Sequence, residues 1–526
     1  MARTPLFRQF QSMMTEVDGS TSPSLSRRHF LAGAGLSSLA AVTVPSSSAS
    51  AATTSRIAII GGGIAGLSAA LALKDAGHVA TVYEAADRVG GRMHSNATSW
   101  KNGQTTEWCG EFFDSDHATV LGLAKRFKLP LTDFLGAQAN GSADTLYLHG
   151  RYYTQQQFSS DFRPVLATLN KQLAAIGDGL TYDTLNAAGR ALDATSLWHW
   201  IDTYVPGGHA SQLGALLDSA YNQELGLDTR EQSSLNLVSI LPYQPAGSST
   251  VSIYGQSDQR YGILGGNERL PRAIANHLGA AQVRTSHRLE RIAKRSDGSY
   301  DLTFASPTSS TTVVADRVIM TIPFSVLRRL DFRDAGFDTR KQTAITELGY
   351  GTNSKLMMQF DGRPWTATGP WGHTDGTFYS DLNVQNVWDS TRGRQGATGI
   401  LTAYTGGRNG TALRASTPYA TSGIAHHVQS TLATVGRVFP GIPAHFNGRA
   451  TLSTPWSDPN LRGSYACWKV GQYSAFAGYE GVRQGRCHFA GEHCSTGYQG
   501  YMEGGAQEGI RAAREILHDF SKGQLL

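Results

Sequence analysis

The chain has 526 residues, of which 40% are hydrophobic and 17% charged, so it can bury a large core and divide into two domains. Its formal net charge of +5 at pH 7 is too small to indicate a nucleic-acid partner. The four cysteines show no CxxC or Cys/His spacing, so the sequence predicts no metal site. One disulfide is possible in an oxidising compartment, but a chain of this size does not need one, and we expect free thiols at Cys109, Cys467, Cys487 and Cys494.

The N-terminal segment is typical of an export signal. Arg27 and Arg28 precede a mildly apolar stretch that runs to Val44, and small residues follow up to Ala52. This pattern resembles a twin-arginine signal with an A-x-A type of cleavage site. The apolar stretch is shorter than the ~20 residues that a transmembrane helix needs. We therefore expect the twin-arginine translocase to export the folded protein, to the periplasm or out of the cell, with no membrane span; the alternative is a disordered basic tail.

A strand, a glycine turn and a helix follow. Ile57–Ile60 is a continuous apolar run, as in a parallel strand that is buried on both faces. Gly61 permits the tight turn, Gly63 lets the backbone approach a pyrophosphate, and Gly66 lets the helix pack close to the strand. Unpaired N–H groups at the helix N-terminus favour a phosphate. This segment predicts a bound dinucleotide and leaves NAD and FAD open.

A second strand and an acidic residue complete this unit. Val79–Tyr83 reads as the strand, and Glu84 follows it, where a carboxylate can accept hydrogen bonds from a ribose. Two glycines then lie between Arg88 and Arg92, which suits a second contact to a pyrophosphate. This extension resembles the ExxxRxGGR motif of FAD-dependent oxidases of the amine oxidase superfamily. FAD therefore becomes the expected cofactor.

The middle of the chain changes pattern twice. Helical patterns dominate between residues 152 and 241, for example in Leu213–Leu225. Strand patterns take over from Gln282, and Val318–Ile322 reads as a second buried strand that ends at Pro323. Between residues 343 and 450, β-like segments alternate with turns, and a helix is predicted at 424–438. No internal repeat is evident.

The C-terminal segment carries the second strong motif. Cys487–Ala490 reads as a strand, Gly491 as a turn, and a helix is predicted from about Gly504. The sequence FAGEHCSTGYQGYMEGG resembles the closing motif of flavin-dependent amine oxidases, which include monoamine and polyamine oxidases. The resemblance spans Arg56–Leu517. It implies an α/β fold, in which a Rossmann-like FAD-binding domain is interleaved with an α+β substrate-binding domain.

The resemblance also implies domain boundaries and cofactor contacts. The expected segments are 1–52 (signal peptide and linker), 53–145, 256–330 and 456–526 (FAD-binding domain), and 146–255 and 331–455 (substrate domain, helical in its first part). The residues expected to hold FAD are Gly61, Gly63, Ile64, Ala65, Gly66, Glu84, Ala85, Arg88, Gly90, Gly91, Arg92, Leu289, Gly491, Glu492, Tyr501 and Met502. Some relatives link FAD covalently through a cysteine, and Ser464 stands at that position. The resemblance therefore implies non-covalent binding.

Three residues are expected at the reacting end. Lys355 aligns with the lysine that such enzymes hold near flavin N5 through a water, where its charge can stabilise reduced flavin and orient O2. Tyr465 and Tyr501 fall where the family builds an aromatic cage that orients an amine and excludes water. The plainer alternatives are a solvated lysine and ordinary core aromatics. Further candidates for the same region are Trp456, Trp468 and Tyr498.

The expected reaction is oxidation of a small-molecule amine to an imine by hydride transfer to FAD, with O2 reduced to H2O2. The imine would hydrolyse to an aldehyde and ammonia or a smaller amine. One alternative is an L-amino acid oxidase, which needs a cation for the α-carboxylate. The segment 107–114 holds no arginine, although Arg363 or Arg392 could serve from another loop. Another alternative is oxidation of a different C–N or C–C bond, and an alternative of another class is a secreted flavoprotein that binds without turnover. The sequence does not indicate an oligomeric state.

Overall fold

The computed structural model describes residues 55–177, 179–244, 251–306 and 309–524, and the predicted export signal lies outside them. The strands are β1 (Ile57–Ile60), β2 (Ala80–Tyr83), β3 (Ser95–Asn96), β4 (Thr106–Glu107), β5 (Leu131–Asp133), β6 (Thr145–Leu148), β7 (Arg151–Tyr153), β8 (Tyr261–Ile263), β9 (Val283–Arg284), β10 (Arg288–Lys294), β11 (Tyr300–Ala305), β12 (Ser310–Ala315), β13 (Arg317–Met320), β14 (Ser354–Phe360), β15 (Phe378–Ser380), β16 (Asn386–Asp389), β17 (Gly399–Thr405), β18 (Tyr419–Ala420), β19 (Phe446–Ser453) and β20 (Cys487–Phe489). The helices are α1 (Ile64–Asp75), α2 (Ala118–Arg126), α3 (Gln155–Ile176), α4 (Ala187–Asp193), α5 (Leu197–Tyr204), α6 (Gln212–Leu225), α7 (Leu235–Val238), α8 (Arg269–Leu278), α9 (Phe324–Leu327), α10 (Thr339–Glu347), α11 (Gly407–Ala412), α12 (Ala425–Val438), α13 (Gln472–Phe476) and α14 (Met502–Ser521).

A five-stranded parallel sheet gathers strands from distant parts of the chain, in the order β20-β13-β1-β2-β9. Its central strand β1 is apolar throughout, and alternate side chains enter different cores: Ile59 joins the core that contains α1 and α14, and Ile60 joins the core on the other face. All five strands end at the same edge. Ligands of open α/β sheets bind outside that carboxyl edge.

Helix α1 packs closely against the turn after β1 and against α14. A Cβ atom on Gly66 of α1 would lie 2.0 Å from the Gly61 carbonyl oxygen, and a Cβ on Gly509 of α14 would lie 2.0 Å from the Ala65 carbonyl oxygen. Only glycine therefore permits these backbones to approach so closely. The predicted packing role of Gly66 agrees with this geometry, and it brings both helix N-termini to the carboxyl edge of the sheet.

An eight-stranded mixed sheet forms the second layer, in the order β18-β19-β14-β17-β16-β15-β6-β7. Its strand β14, the third in this order, is buried along its whole length. The antiparallel register sets Lys355 of β14 opposite Tyr404 of β17, and Tyr404 opposite Asn386 of β16. Because opposite residues share a face, these three side chains lie on one side of the sheet.

The helical stretch predicted between residues 152 and 241 contains α3 to α7. Several predicted boundaries differ by one or two residues: the second strand begins at Ala80 instead of Val79, and the strand predicted to end at Ala490 ends at Phe489. The buried strand predicted at Val318–Ile322 is Arg317–Met320, and just beyond it the Thr321 N–H and hydroxyl both donate to the Ile60 carbonyl oxygen. The last helix begins at Met502 instead of Gly504. Among the described residues, no helix is both long and apolar enough to cross a membrane, and none of the four cysteines forms a disulfide bond.

Candidate active site

A cavity of about 590 Å³ opens at the carboxyl edge of the parallel sheet and reaches the face of the eight-stranded sheet that carries Lys355. We call its wall segments 60–65, 83–93, 287–290, 321–330, 455–462 and 491–492 the cofactor end. The opposite wall, here called the substrate end, consists of Phe112, Asp114, Gln223, Glu224, Tyr254, Gln259, Asn386, Trp388 and Tyr404. Lys355, Glu111, Tyr465 and Tyr501 line the cavity between the two ends.

The N-terminus of α1 faces the cofactor end. None of the described side chains caps this terminus, and its first turn holds no acidic residue. A Cβ atom on Gly63 would meet no other atom within 4 Å, so the backbone there is open to the cavity. Free N–H groups, the positive end of the helix dipole and an open glycine backbone together fit a phosphate group.

Glu84 lies at the end of β2, as predicted, and lines the cavity. Its Oε2 accepts from the Gly62 N–H at 2.7 Å and its Oε1 from the Ala86 N–H at 2.8 Å. Burial raises the pKa of Glu84 despite these two hydrogen bonds. Each carboxylate oxygen has a second lone pair, so the side chain keeps acceptor capacity for ribose hydroxyls.

An ion pair joins the two sequence motifs. The Arg92 Nη1 atom lies 2.7 Å from Glu492 Oε1 and also donates to the Ser464 carbonyl oxygen at 2.9 Å. Glu492 further accepts from the backbone N–H groups of Ala466 and Gly500. Burial alone would raise the pKa of Glu492, but Arg92 and the other partners hold it below its usual value. The RxGGR and FAGEH motifs therefore form one wall segment.

The predicted cofactor residues converge on this cavity. All of them except Gly66 line it, and Gly66 instead permits the contact between α1 and β1. Their number, the open helix N-terminus and the paired Arg92 and Glu492 fit a flavin dinucleotide.

Lys355 lies in the wall but is not solvated. Its Nζ atom lies 2.7 Å from Glu111 Oε2, 2.6 Å from the Cys109 carbonyl oxygen and 3.4 Å from the Glu107 carbonyl oxygen. Glu111 Oε1 accepts from Trp388 Nε1 at 2.9 Å and from Ser390 Oγ at 2.7 Å. Sequence reasoning missed Glu111, although a charged residue in the otherwise apolar stretch around Trp108 and Phe112 was a usable signal.

The two predicted cage tyrosines both line the cavity. The Tyr465 hydroxyl donates to the Glu224 carbonyl oxygen at 2.5 Å and lies 3.0 Å from the Tyr404 hydroxyl. The Tyr501 ring packs edge-on against His117, with 4.9 Å between ring centroids. Its buried hydroxyl has no hydrogen-bond partner among the described residues, which leaves it available to a ligand.

Three weaker candidates do not line the cavity among the described residues. Trp468 belongs to the hydrophobic core and packs on Tyr473, and Trp456 donates from its indole to Ser354 Oγ. Tyr498 lies behind Tyr501, with 6.4 Å between their ring centroids. Their proximity in sequence to the motifs was misleading, because neighbouring residues of a strand or turn point in different directions.

Neither arginine considered for a substrate carboxylate lines the cavity in the described chain. Arg363 lies 3.3 Å from Asp389 and donates to the Thr391 carbonyl oxygen, and Arg392 pairs with Asp375. The arginines that do line the wall belong to the cofactor-end segments and are Arg88, Arg92, Arg288, Arg329 and Arg462. The substrate end instead carries two buried acids, Asp114 and Glu224.

One acidic cluster lies beside Tyr501. Oxygen and nitrogen atoms of Asp114, Asp116 and His117 lie within 4.8 Å of one another. However, His117 Nδ1 accepts from the Asp114 N–H at 3.0 Å, so the proton of the neutral ring is on Nε2. Burial lowers the pKa of His117 to about 3, which keeps the ring neutral. This histidine therefore has no lone pair for a metal.

Comparisons with known proteins agree with this geometry. A family model described as flavin containing amine oxidoreductase matches residues 64–517. A putative L-amino-acid oxidase of Bacillus subtilis (strain 168) is 26% identical over 88% of this chain and 94% of its own length. The flavin-dependent L-tryptophan oxidase RebO of Lentzea aerocolonigenes is 25% identical over 88% of this chain and 98% of its own length.

Solved structures share the fold. Cyclohexylamine oxidase from Brevibacterium oxydans IH-35A superposes with a TM-score of 0.74 at 20% identity and covers 89% of this chain and 100% of its own. A putrescine oxidase bound to putrescine superposes with a TM-score of 0.73 at 19% identity and covers 88% of this chain and 99% of its own.

Proposed function

The chain belongs to the flavin-containing amine oxidoreductase family, and from this premise we propose that it oxidises amines that carry no α-carboxylate. FAD is its cofactor; when bound, it accepts the hydride that leaves the substrate α-carbon, and O2 then reoxidises it with formation of H2O2. The imine that remains hydrolyses in water.

The charge of the substrate end carries this proposal. Among its described residues the acids are Asp114 and Glu224, and no arginine or lysine belongs to it. An α-carboxylate needs a positive partner, commonly an arginine fork. Lys355, which lines the cavity between the two ends, already pairs with Glu111. The two carboxylates would therefore repel an amino acid's acid group and attract an ammonium.

Aromatic rings would orient that ammonium. Tyr254, Tyr404 and Tyr465 line the wall beside Glu224, whose charge adds to burial in raising the pKa of all three phenols. Ring faces and a carboxylate together bind an ammonium group. We propose that Glu224 holds a second, distal cation, while Tyr465 and Tyr501 hold the amine that reacts. The favoured substrate is therefore a diamine or a longer polyamine.

Peroxide release across monoamines, diamines, polyamines and L-amino acids tests the proposal. We expect diamines or polyamines to give the highest kcat/KM. A response to L-amino acids alone would contradict it, and a flavin that stays oxidised on anaerobic mixing with the whole panel would indicate a protein without turnover.

A second candidate is an L-amino acid oxidase, favoured by the named activities of the two relatives above. In this reading Lys355 would have to leave Glu111 and pair with the substrate carboxylate. The same panel separates the two candidates. Only the L-amino acid oxidase candidate predicts that amino acids are oxidised and that the corresponding decarboxylated amines are not.

We also propose export through the twin-arginine route, supported by Arg27 and Arg28 ahead of an apolar stretch. This route carries folded proteins, so FAD could be bound before export. Replacing both arginines by lysine should leave the oxidase in the cytoplasmic fraction of a host that has this translocase. Unchanged export of the double variant would contradict the assignment.

A further inference from the structure

Every N–H donor of the Lys355 ammonium group has a protein acceptor. This group carries three N–H donors, and three protein oxygens lie within hydrogen-bond distance: Glu111 Oε2, the Cys109 carbonyl and the Glu107 carbonyl. The side chain is buried, so bulk water does not compete for these donors. A water-holding role for Lys355 would therefore require one of these contacts to break.

Glu111 is held as firmly as Lys355. Its second oxygen accepts from Trp388 and Ser390, and Ser390 Oγ is also 2.6 Å from Thr402 Oγ1. Burial would raise the pKa of Glu111, but the Lys355 charge and these hydrogen bonds lower it, so the carboxylate is ionised. The two residues form a fixed and electrically neutral pair in the cavity wall.

We infer that Glu111 is a positioning residue that fixes Lys355 and cancels its positive charge at the bound flavin. The potential of a lone charge falls with the first power of distance, whereas that of a close pair of opposite charges falls faster. The flavin of this protein therefore lies beside a weak dipole and not beside a free ammonium. This inference concerns the cofactor and does not depend on which substrate is oxidised.

Sulfite binding reports the charge near the flavin without requiring turnover. Sulfite adds reversibly to protein-bound oxidised flavin and bleaches its visible absorbance. It binds more tightly when a positive charge is near. The experiment titrates sulfite into holoenzyme at pH 7 for the wild type and for Glu111→Gln. Removing the carboxylate uncovers the Lys355 charge, so the sulfite Kd should fall by about tenfold or more.

Glu107→Gln is the matched control. Glu107 lies on the same segment, but its carboxyl group contacts Ser95 and the Asn267 N–H and does not contact Lys355. Burial raises its pKa to about 8, so at pH 7 the change replaces one neutral group by another. Its sulfite Kd should stay within about threefold of wild type. An equal Kd for Glu111→Gln and wild type would overturn the inference.

A double variant covers the case in which Glu111→Gln does not retain flavin. Glu111→Gln combined with Lys355→Met replaces the ion pair by two neutral side chains. Because the ion pair is itself neutral as a whole, the sulfite Kd of the double variant should stay within about threefold of wild type. A Kd about tenfold or more above that of wild type would show that the Lys355 charge reaches the flavin despite Glu111, and would overturn the inference.

Discussion

The hydroxyl oxygens of Tyr404 and Tyr465 lie 3.0 Å apart at the side of the cavity. Because Tyr465 donates its own proton to the Glu224 carbonyl, Tyr404 is the donor in this contact. Tyr404 therefore holds the Tyr465 ring at a fixed angle, although only Tyr465 was predicted from the sequence.

Tyr404→Phe should loosen the Tyr465 ring without removing an aromatic surface. We expect the rate constant of flavin reduction by substrate to fall by about three- to tenfold, since positioning of the amine is impaired. Stopped-flow absorbance measures this rate constant. Tyr152→Phe is the control, because the Tyr152 hydroxyl also donates to a carbonyl, that of Val438, but does not line the cavity. Equal rate constants for Tyr404→Phe and wild type would refute the positioning role.

Glu224→Gln should weaken binding of a distal ammonium. The KM for diamines should rise by about ten- to a hundredfold, since a charge-assisted contact contributes about 1.5–3 kcal/mol. The KM for monoamines of equal carbon number should change little. Steady-state peroxide assays provide the comparison, and a uniform increase for both classes would place Glu224 at the reacting amine instead.

Lys355→Met should destabilise the fold by about 3–5 kcal/mol, because it leaves the buried Glu111 carboxylate without its countercharge. Adding Glu111→Gln should restore most of this loss, since a neutral pair replaces an ion pair. Urea unfolding of the wild type, the two single variants and the double variant gives the coupling free energy between Lys355 and Glu111. If the losses of the two single variants simply add in the double variant, this coupling is zero and the ion pair contributes nothing to stability.

Glu107 should make stability depend on pH. Its pKa rises from 4.5 to about 8 on burial, so the folded state binds a proton that the unfolded state releases. Its stabilising contribution is fully present below pH 4.5 and is lost as pH rises through about 8. Glu107→Gln should therefore flatten the decline in the free energy of unfolding between these values. If the free energy of unfolding declines equally with pH in the variant and the wild type, the raised pKa of Glu107 is contradicted.

FAD should leave the protein on acid denaturation. Ser464 occupies the position of the covalent cysteine of some relatives, and its hydroxyl donates to Asn353 Oδ1 at 2.6 Å. A hydroxyl cannot form the thioether, so precipitation with acid should release the flavin into the supernatant. A yellow pellet would show that another residue makes a covalent bond.

Local motifs were the predictable part of this molecule. Gly61 and Gly63 follow β1 and Glu84 follows β2, so their positions at the carboxyl edge of the sheet could be inferred from spacing alone. The contact between Arg92 and Glu492 could not, because its partners are 400 residues apart in sequence and meet only when β20 joins β13.

The substrate end was the least predictable part. Glu111, Glu224 and Tyr404 come from a loop, a helix and a strand, and none belongs to a sequence motif. Their roles depend on the register of β14 and β17 and on the packing of α6, which are tertiary properties. The same reason explains why Trp468, adjacent to a motif, lies in the core instead of the cavity wall.

The strand order of the parallel sheet has a consequence for synthesis on the ribosome. β1 is among the earliest strands to emerge, but β20 and the N-terminus of α14, which complete the cofactor cavity, emerge more than 400 residues later. A nascent chain stalled before β20 therefore lacks Glu492 and Gly505 and cannot enclose a flavin. We therefore expect full cofactor binding only after the last segment has been synthesised, and flavin retention by released chains would report that the two ends of the chain have met.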